Sequence, residues 1–337
     1  MKALIYAGPK QAVLQTVPEP ERKDGQVKLK VKYCGVCGSD IGIFLGTHPR
    51  AKAPLIFGHE FLGIVQEDGK RLKKGDRVVC YPLLTCGHCL ACRTGNSHVC
   101  NTLGLVGIDC DGGIAEYVCA NEEMLFKVPD GVSDRAAVVA EPLAVIVHSM
   151  FQAQFKPLDC AVVIGAGPIG MLTGIVLKHL GASKVYISDV FAKRLEVAEQ
   201  FGMTPVNSMK QDLNQIVKNA TDGEGCDILF ECSGSEPAAI QMTQITRVKG
   251  TICMTAVHKK PHAVNLQELN FKEQTLVGTR VYTKDQFGKA VELIKEIEPQ
   301  LEKVVSHIVP LSESEKVFDM IADPDCGTVK VVVDCEK

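Results

Sequence analysis

Ala161-Val-Val-Ile164-Gly165-Ala-Gly167-Pro168-Ile169-Gly170 joins an unbroken apolar run to three glycines spaced G-x-G-x-x-G. An apolar run of that length reads as a strand buried on both faces. The segment after the glycines opens a helix running to about Leu180. Glycines at this spacing let the backbone approach a pyrophosphate, which then rests against the partial positive charge of the helix N-terminus. Lys184 to Ser188 form a second strand, and Asp189 at its end is placed to accept hydrogen bonds from an adenosine ribose. A carboxylate there repels a 2′-phosphate, so NAD is favoured over NADP. Lys193 and Arg194 temper that preference, and both also read as the solvated start of the next helix.

Working outward, further apolar strands at Ile228-Leu-Phe230 and Thr251-Ile-Cys-Met254 alternate with helices. This α/β pattern predicts a doubly wound parallel sheet. Before about Asp134 the pattern is different. Val27-Lys-Leu-Lys-Val31 alternates with period two, Gly63-Ile-Val65 and Arg77-Val-Val79 are short β-like pieces, and Gly, Pro and Asp punctuate them. That part reads as a β-rich domain. Beyond Tyr282 an amphipathic helix is expected around Gln286 to Ile297, followed by a short β tail from Val329 to Val333. The predicted domains are 1–148 with 283–337 returning to it, and 149–282, in keeping with a length of 337 residues.

A net charge of −3 and the absence of tryptophan leave no footprint for nucleic acid. No stretch approaches the roughly 18 unbroken apolar residues of a membrane span. The opening Met-Lys-Ala-Leu-Ile has no basic segment leading into an apolar run, so no signal peptide is expected. The 15 cysteines are odd in number and scattered along the chain. A reducing cytoplasm is the expected location.

Four of those cysteines stand apart, in Cys86-Gly-His-Cys89-Leu-Ala-Cys92-Arg-Thr-Gly-Asn-Ser-His-Cys100. The spacing brings four thiolates to one tetrahedral zinc, a closed set with no position for substrate. A disulfide cluster is the alternative. A second metal site can be assembled from Cys37 in Cys37-Gly-Ser39-Asp40, His59 and Glu60 in Gly58-His-Glu60, and Glu141 in Glu141-Pro-Leu143. One thiolate, one imidazole and one or two carboxylates leave zinc an open position. Taken singly, Cys37 also reads as a buried thiol, His59 as a core histidine and Glu141 as a helix N-terminal carboxylate.

These motifs, with Gly112-Gly-Ile-Ala-Glu-Tyr117 and Gly278-Thr279, run in order through nearly the whole chain. In that order they resemble the zinc-dependent medium-chain dehydrogenase/reductases, in the polyol, butanediol and threonine dehydrogenase branch. The resemblance implies a GroES-like β-barrel catalytic domain and a Rossmann domain with the active site between them. It implies two Zn²⁺ per chain and NAD. Cys37, His59 and Glu60 are the implied ligands of the catalytic zinc, with Glu141 either a ligand or one step removed. Cys86, Cys89, Cys92 and Cys100 hold the structural zinc. Ser39 is the implied proton relay, and Asp40 supports His59 from behind. Cofactor contacts are implied at Gly165, Gly167, Pro168, Ile169, Gly170, Asp189, Arg194, Ser233, Val257, Thr279 and Arg280.

The chain departs from the family where many relatives carry histidine three residues after the relay residue. Here that position is Gly42. His48 is the nearest imidazole in sequence, and bulk water is the expected proton exit. The glutamate-bearing zinc shell and the lack of a phosphate-binding cluster suggest a secondary alcohol, a polyol or vicinal diol. Gly278-Thr-Arg280-Val-Tyr282 is closer to the butanediol pattern than to sorbitol dehydrogenase, and threonine or a sterol stays open. A non-catalytic relative would have lost Cys37, Ser39 or His59, and a zinc-free reductase would lack both metal sets. The family further implies a homodimer or homotetramer, with a sheet edge near Thr251 to Met254 and a strand beyond Gly278 as contacts.

Overall fold

Ala161, Val162 and Val163 are all fully buried although successive side chains of a strand point to opposite faces. The computed structural model, which describes residues 1–323 and 326–337, shows what covers each side. Val162 and Ile164 share a cluster with Leu213 and Val217 of one helix and Ala238, Met242 and Ile245 of another. On the opposite face Gly170, in the helix Pro168–His179, comes up against Val163. That helix starts with Gly167 as N-cap and proline in its first turn, and ends with Lys178 and His179 near its negative pole.

Six parallel strands make this sheet: Cys160–Ile164, Lys184–Asp189, Thr204–Asn207, Cys226–Glu231, Thr246–Met254 and Thr275–Gly278. Their spatial order is third, second, first, fourth, fifth, sixth. The order reverses beside the first strand, and the crevice outside the carboxyl ends there is where such sheets bind a dinucleotide. One expectation is overturned. Thr246–Met254 is not an edge, because it pairs with strands on both sides. The edge is Thr275–Gly278, and it ends at Gly278 because the Thr279 amide and hydroxyl both turn back to the Met254 carbonyl at 3.2 Å.

The chain divides into two compact units, Met1–Ala144 with Tyr282–Lys337, and Val145–Val281. The first break falls inside the continuous helix Ala140–Ala153. The first unit is β-rich. Gln26–Gly35 is its central strand, pairing antiparallel with Glu60–Val65, Tyr117–Asn121 and the C-terminal strand Lys330–Asp334. The expected period two holds over it, with Val27, Leu29 and Val31 buried. The helix after Tyr282 spans Lys284–Leu293 and continues as a short 3₁₀ turn, Ile294–Glu296. A strand at Val305–Pro310, parallel to Lys330–Asp334, was not legible from the sequence pattern.

Candidate active site

Cys37 precedes the short helix Gly38–Phe44 as its N-cap, and His59 and Glu60 arrive at the start of the strand Glu60–Val65. Residues 22 positions apart in sequence are thus brought together, and one ligand atom from each of Cys37, His59 and Glu60 lies within 4.8 Å of the others. Among the described residues this is one of two such groups, the other being the four cysteines. Burial opposes a charge on the His59 ring, but the hydrogen-bonded Cys37 thiol, with Asp40 and Glu141, outweighs it and holds the imidazolium well above its ordinary range. A proton is therefore stabilised where a cation suits the donors. His59 Nδ1, Asp40 Oδ1 and Ser39 Oγ are all buried without a hydrogen-bond partner. Buried polar atoms are seldom left so, and a thiolate, an imidazole and a carboxylate are the donors zinc takes. The residues fit the metal.

Asp40 does not hydrogen-bond His59 as expected. Its Oδ2 accepts the Cys37 amide at 2.8 Å to cap the helix, while Oδ1 and His59 Nδ1 each stand alone. Its influence on the ring is through charge. Glu141, near the start of Ala140–Ala153, is buried but its oxygens are not in the ligand group. Burial pushes its carboxyl up to about 7 against the pull of His59, and its Oε1 accepts the Tyr282 hydroxyl at 2.5 Å. His48 Nδ1 accepts the Arg50 and Ala51 amides at 3.4 and 3.3 Å, so that nitrogen organises a turn.

Lys330 was missed in the sequence. Only 2% exposed, it ion-pairs with Glu60 and donates to the Val36 carbonyl at 3.0 Å. Burial works against its charge, and Glu60 and Cys37 more than offset it, raising the ammonium. The available signal was a lysine inside the apolar tail Val329-Lys-Val-Val-Val333, because a buried lysine needs an anion.

In the four-cysteine lobe, Cys89 and Cys92 lie three residues apart at the cap and within the single turn Leu90–Arg93, which turns both sulfurs the same way. Leu83–Leu84 and Gly104–Leu105 pair beneath it. The sulfur separations are 3.5 Å for Cys89 and Cys92, and 3.9 Å for both Cys86 to Cys92 and Cys89 to Cys100. Four sulfurs about 2.3 Å from a tetrahedral centre stand about 3.8 Å apart, whereas a disulfide needs about 2.05 Å. All four cysteines are free. The Cys86 amide, 3.4 Å away, is the first cause holding the Cys100 thiol down to about 6. Desolvation, ahead of the Cys89 thiol, pushes Cys92 up to about 12. Without a cation the cluster cannot carry four negative sulfurs.

At the glycine turn, Gly165 has φ +104° and donates to the Ser188 carbonyl at 2.7 Å. A Cβ on Gly170 would stand 1.7 Å from the Gly165 oxygen, and one on Gly167 would meet nothing within 4 Å. The room at Gly167 is a cradle that a side chain would invade, as a pyrophosphate site requires. Asp189 accepts the Ala166 and Phe191 amides, at 2.7 and 2.9 Å. A carboxylate has about four acceptor sites, so capacity for ribose hydroxyls is left. Pro168 and Ile169 are half-buried in the first helical turn. Arg194 lays its guanidinium over the Phe191 ring, 5.1 Å from its centre. Ser233 is held by buried Glu231, which accepts its hydroxyl at 2.5 Å and its amide at 2.8 Å. Glu231 also meets His258 at 2.9 Å, from the loop carrying Val257. Val257 is 86% exposed, Arg280 is exposed, and Ser149 reaches the Thr279 hydroxyl at 3.5 Å.

Residues 23–130 match the alcohol dehydrogenase GroES-like domain, and residues 168–296 match the zinc-binding dehydrogenase domain. The chain is 35% identical over 316 residues to 2-dehydro-3-deoxy-L-galactonate 5-dehydrogenase of Pseudoalteromonas atlantica, covering 92% of each chain. It is 35% identical to sorbitol dehydrogenase of Halalkalibacterium halodurans, covering 95% of this chain and 96% of that one. The crystal structure of 2R,3R-butanediol dehydrogenase from Bacillus subtilis superposes with a TM-score of 0.91 at 30% identity, covering 99% of both chains.

Proposed function

The chain belongs to the zinc-dependent alcohol dehydrogenase family, and from that premise we propose that it oxidises a secondary alcohol, a polyol or vicinal diol, reversibly to the ketone with NAD⁺ as hydride acceptor. The observation that carries this reading is the Cys37, His59 and Glu60 set, Cys37 half-buried and the other two buried, with His59 Nδ1 and the neighbouring Asp40 Oδ1 and Ser39 Oγ left without hydrogen-bond partners. These three residues would hold the catalytic zinc, and the four cysteines the structural one. Bound zinc supplies the Lewis acidity that lets an alcohol release its proton near neutral pH.

The chain's own residues do the rest. Ser39 Oγ, buried and without a partner, relays the alcohol proton, accepting it as its own hydroxyl proton passes on to water. With one His48 nitrogen engaged in its turn, the proton leaves through water. Lys330 balances the charge of Glu60 and orients it. The Gly165 to Gly170 turn cradles the pyrophosphate, Asp189 takes the ribose hydroxyls and disfavours a 2′-phosphate, and Ser233, Val257, Thr279 and Arg280 border the rest of the cofactor. Sugar-acid, sorbitol and butanediol dehydrogenases among the similar proteins support a substrate with neighbouring oxygen functions.

A homo-oligomer is part of the same reading, supported by the unpaired outer side of the edge strand Thr275–Gly278. So is a cytoplasmic location, supported by 15 free cysteines. No helix among the described residues is long and apolar enough to cross a membrane. The test is NADH formation by the zinc-loaded protein on a panel of vicinal diols, polyols, sugar acids and threonine. Turnover on a diol or polyol, with NAD⁺ preferred over NADP⁺ by about tenfold or more, is expected. No turnover on any member of the panel, with both zinc sites filled, overturns the reading.

A further inference from the structure

Tyr282 is fully buried, and its hydroxyl donates to Glu141 Oε1 at 2.5 Å. The bond is braced on every side. The Tyr282 ring meets Tyr81 edge-on at 5.8 Å and Phe287 at 5.7 Å, and Phe287 in turn packs on Phe126 at 5.0 Å. Immediately after Tyr282 the backbone is locked by a capping box, in which Thr283 and Gln286 exchange hydrogen bonds of 3.2 and 3.0 Å. Immediately before it Val281 is held at φ +42°. A β-branched residue adopts that left-handed conformation only where its surroundings impose it. The chain is bent against its own preference at the residue that must turn this ring inward.

Glu141 is equally fixed, buried near the start of a 14-residue helix. It is close enough to His59 and Glu60 to feel their charges, yet neither of its oxygens joins the Cys37, His59 and Glu60 group. A carboxylate in that neighbourhood is a competent zinc ligand. Were it to bind, four protein ligands would close the site. Moving onto the metal would strand the Tyr282 hydroxyl inside an aromatic cluster, a buried donor left without its acceptor.

We propose that Tyr282 is a positioning residue that holds Glu141 out of the inner ligand set of the metal bound by Cys37, His59 and Glu60, and so keeps the fourth position open for substrate. The inference rests on the metal assignment made above. The phenol acts as a latch: it occupies one Glu141 oxygen, and helix and aromatic cluster together set how far the other can reach.

The test uses the full-length protein with cobalt(II) in place of zinc, its visible spectrum taken as the difference from Cys37→Ser. Imidazole, a small neutral metal ligand, is the probe of the open position. Wild type is expected to give a saturable imidazole shift. Tyr282→Phe is expected to bind imidazole at least about tenfold more weakly, because the released carboxylate fills the position. Tyr282→Phe combined with Glu141→Gln is expected to recover the shift, a rescue that a merely structural defect would not show. An imidazole affinity in Tyr282→Phe equal to wild type overturns the latch. Should Tyr282→Phe fail to fold, the crystal structure of the zinc-loaded wild type decides: Glu141 within a direct bond of about 2.0–2.2 Å overturns the proposal, and Glu141 on Tyr282 and off the metal supports it. If Cys37→Ser leaves the cobalt spectrum unchanged, the metal assignment itself falls.

Discussion

At the scale of single residues, the two helix-side glycines of the turn should fail in different ways. A methyl at Gly170 would overlap the Gly165 oxygen, 1.7 Å away, whereas at Gly167 it would meet no protein atom within 4 Å. Gly170→Ala is therefore expected to lose thermal stability and cofactor binding together. Gly167→Ala is expected to melt like wild type but to bind NAD⁺ about tenfold or more weakly, roughly 1.4 kcal/mol, because its methyl takes the phosphate's space. Calorimetric titration with NAD⁺ beside a thermal melt checks both. Unchanged affinity in Gly167→Ala would remove the pyrophosphate from this turn. These glycines were legible because the motif is local. Lys330 and Val36 are separated by 294 positions, and Tyr282 and Glu141 by 141, so their pairing depends on how distant segments meet. The set Cys37, His59 and Glu60 could be assembled from its motifs, but the resemblance was needed to single it out, since each residue alone has an ordinary structural explanation.

Among the elements, Asp134 opens the short helix Asp134–Ala137 and binds Lys32 at 2.5 Å and Arg77 at 2.7 Å. It thereby pins the helix to two strands of its unit. Burial disfavours its charge, but the two cations prevail and hold its carboxyl below the usual range. A depressed folded-state value adds stability that is fully present above the unfolded value of about 3.9 and is lost as pH falls through the lower, folded one. Asp134→Asn should then cost about 1 kcal/mol at neutral pH, a figure discounted for solvent screening. The difference from wild type in urea melts should shrink only below about pH 4. A gap that persists at lower pH would show that packing, not charge, is responsible. Four strands of the parallel sheet were legible because strands buried on both faces are continuously apolar, whereas Thr204–Asn207, on the other edge of the sheet, was not foreseen. The edge strand Thr275–Gly278 was misplaced because an edge needs less apolar surface, and Val305–Pro310 was missed because Ser306 and His307 interrupt it.

The four-cysteine lobe is another element-scale case. Structural zinc in small peptides contributes about 10–16 kcal/mol at neutral pH, and zinc held by these four cysteines would put that energy into ordering a loop with little regular structure. Cys92→Ser should lower the melting temperature or disperse the assembly before it touches hydride transfer, as differential scanning calorimetry and sedimentation would show. Abolished turnover in a fully folded, assembled Cys92→Ser protein would contradict a bracing role.

For the whole molecule, both groups that could hold a metal, the four cysteines and the mixed set Cys37, His59 and Glu60, lie within the unit Met1–Ala144 with Tyr282–Lys337, while Val145–Val281 carries the glycine turn. The sequence pattern alone made the parallel-sheet unit and the β-rich unit distinguishable. The break expected after residue 148 and the change of unit after Ala144 both fall within one continuous helix, whose periodicity does not register the change. In the proposed division of labour Cys37, His59 and Glu60 form the working metal site and the four cysteines the brace. Metal content by mass spectrometry, with NADH formation measured on the same samples of wild type and Cys37→Ser, tests it most directly. Two zinc ions per chain are expected in wild type, falling to one in a folded, inactive Cys37→Ser protein. Two zinc ions and full turnover in that variant would contradict it.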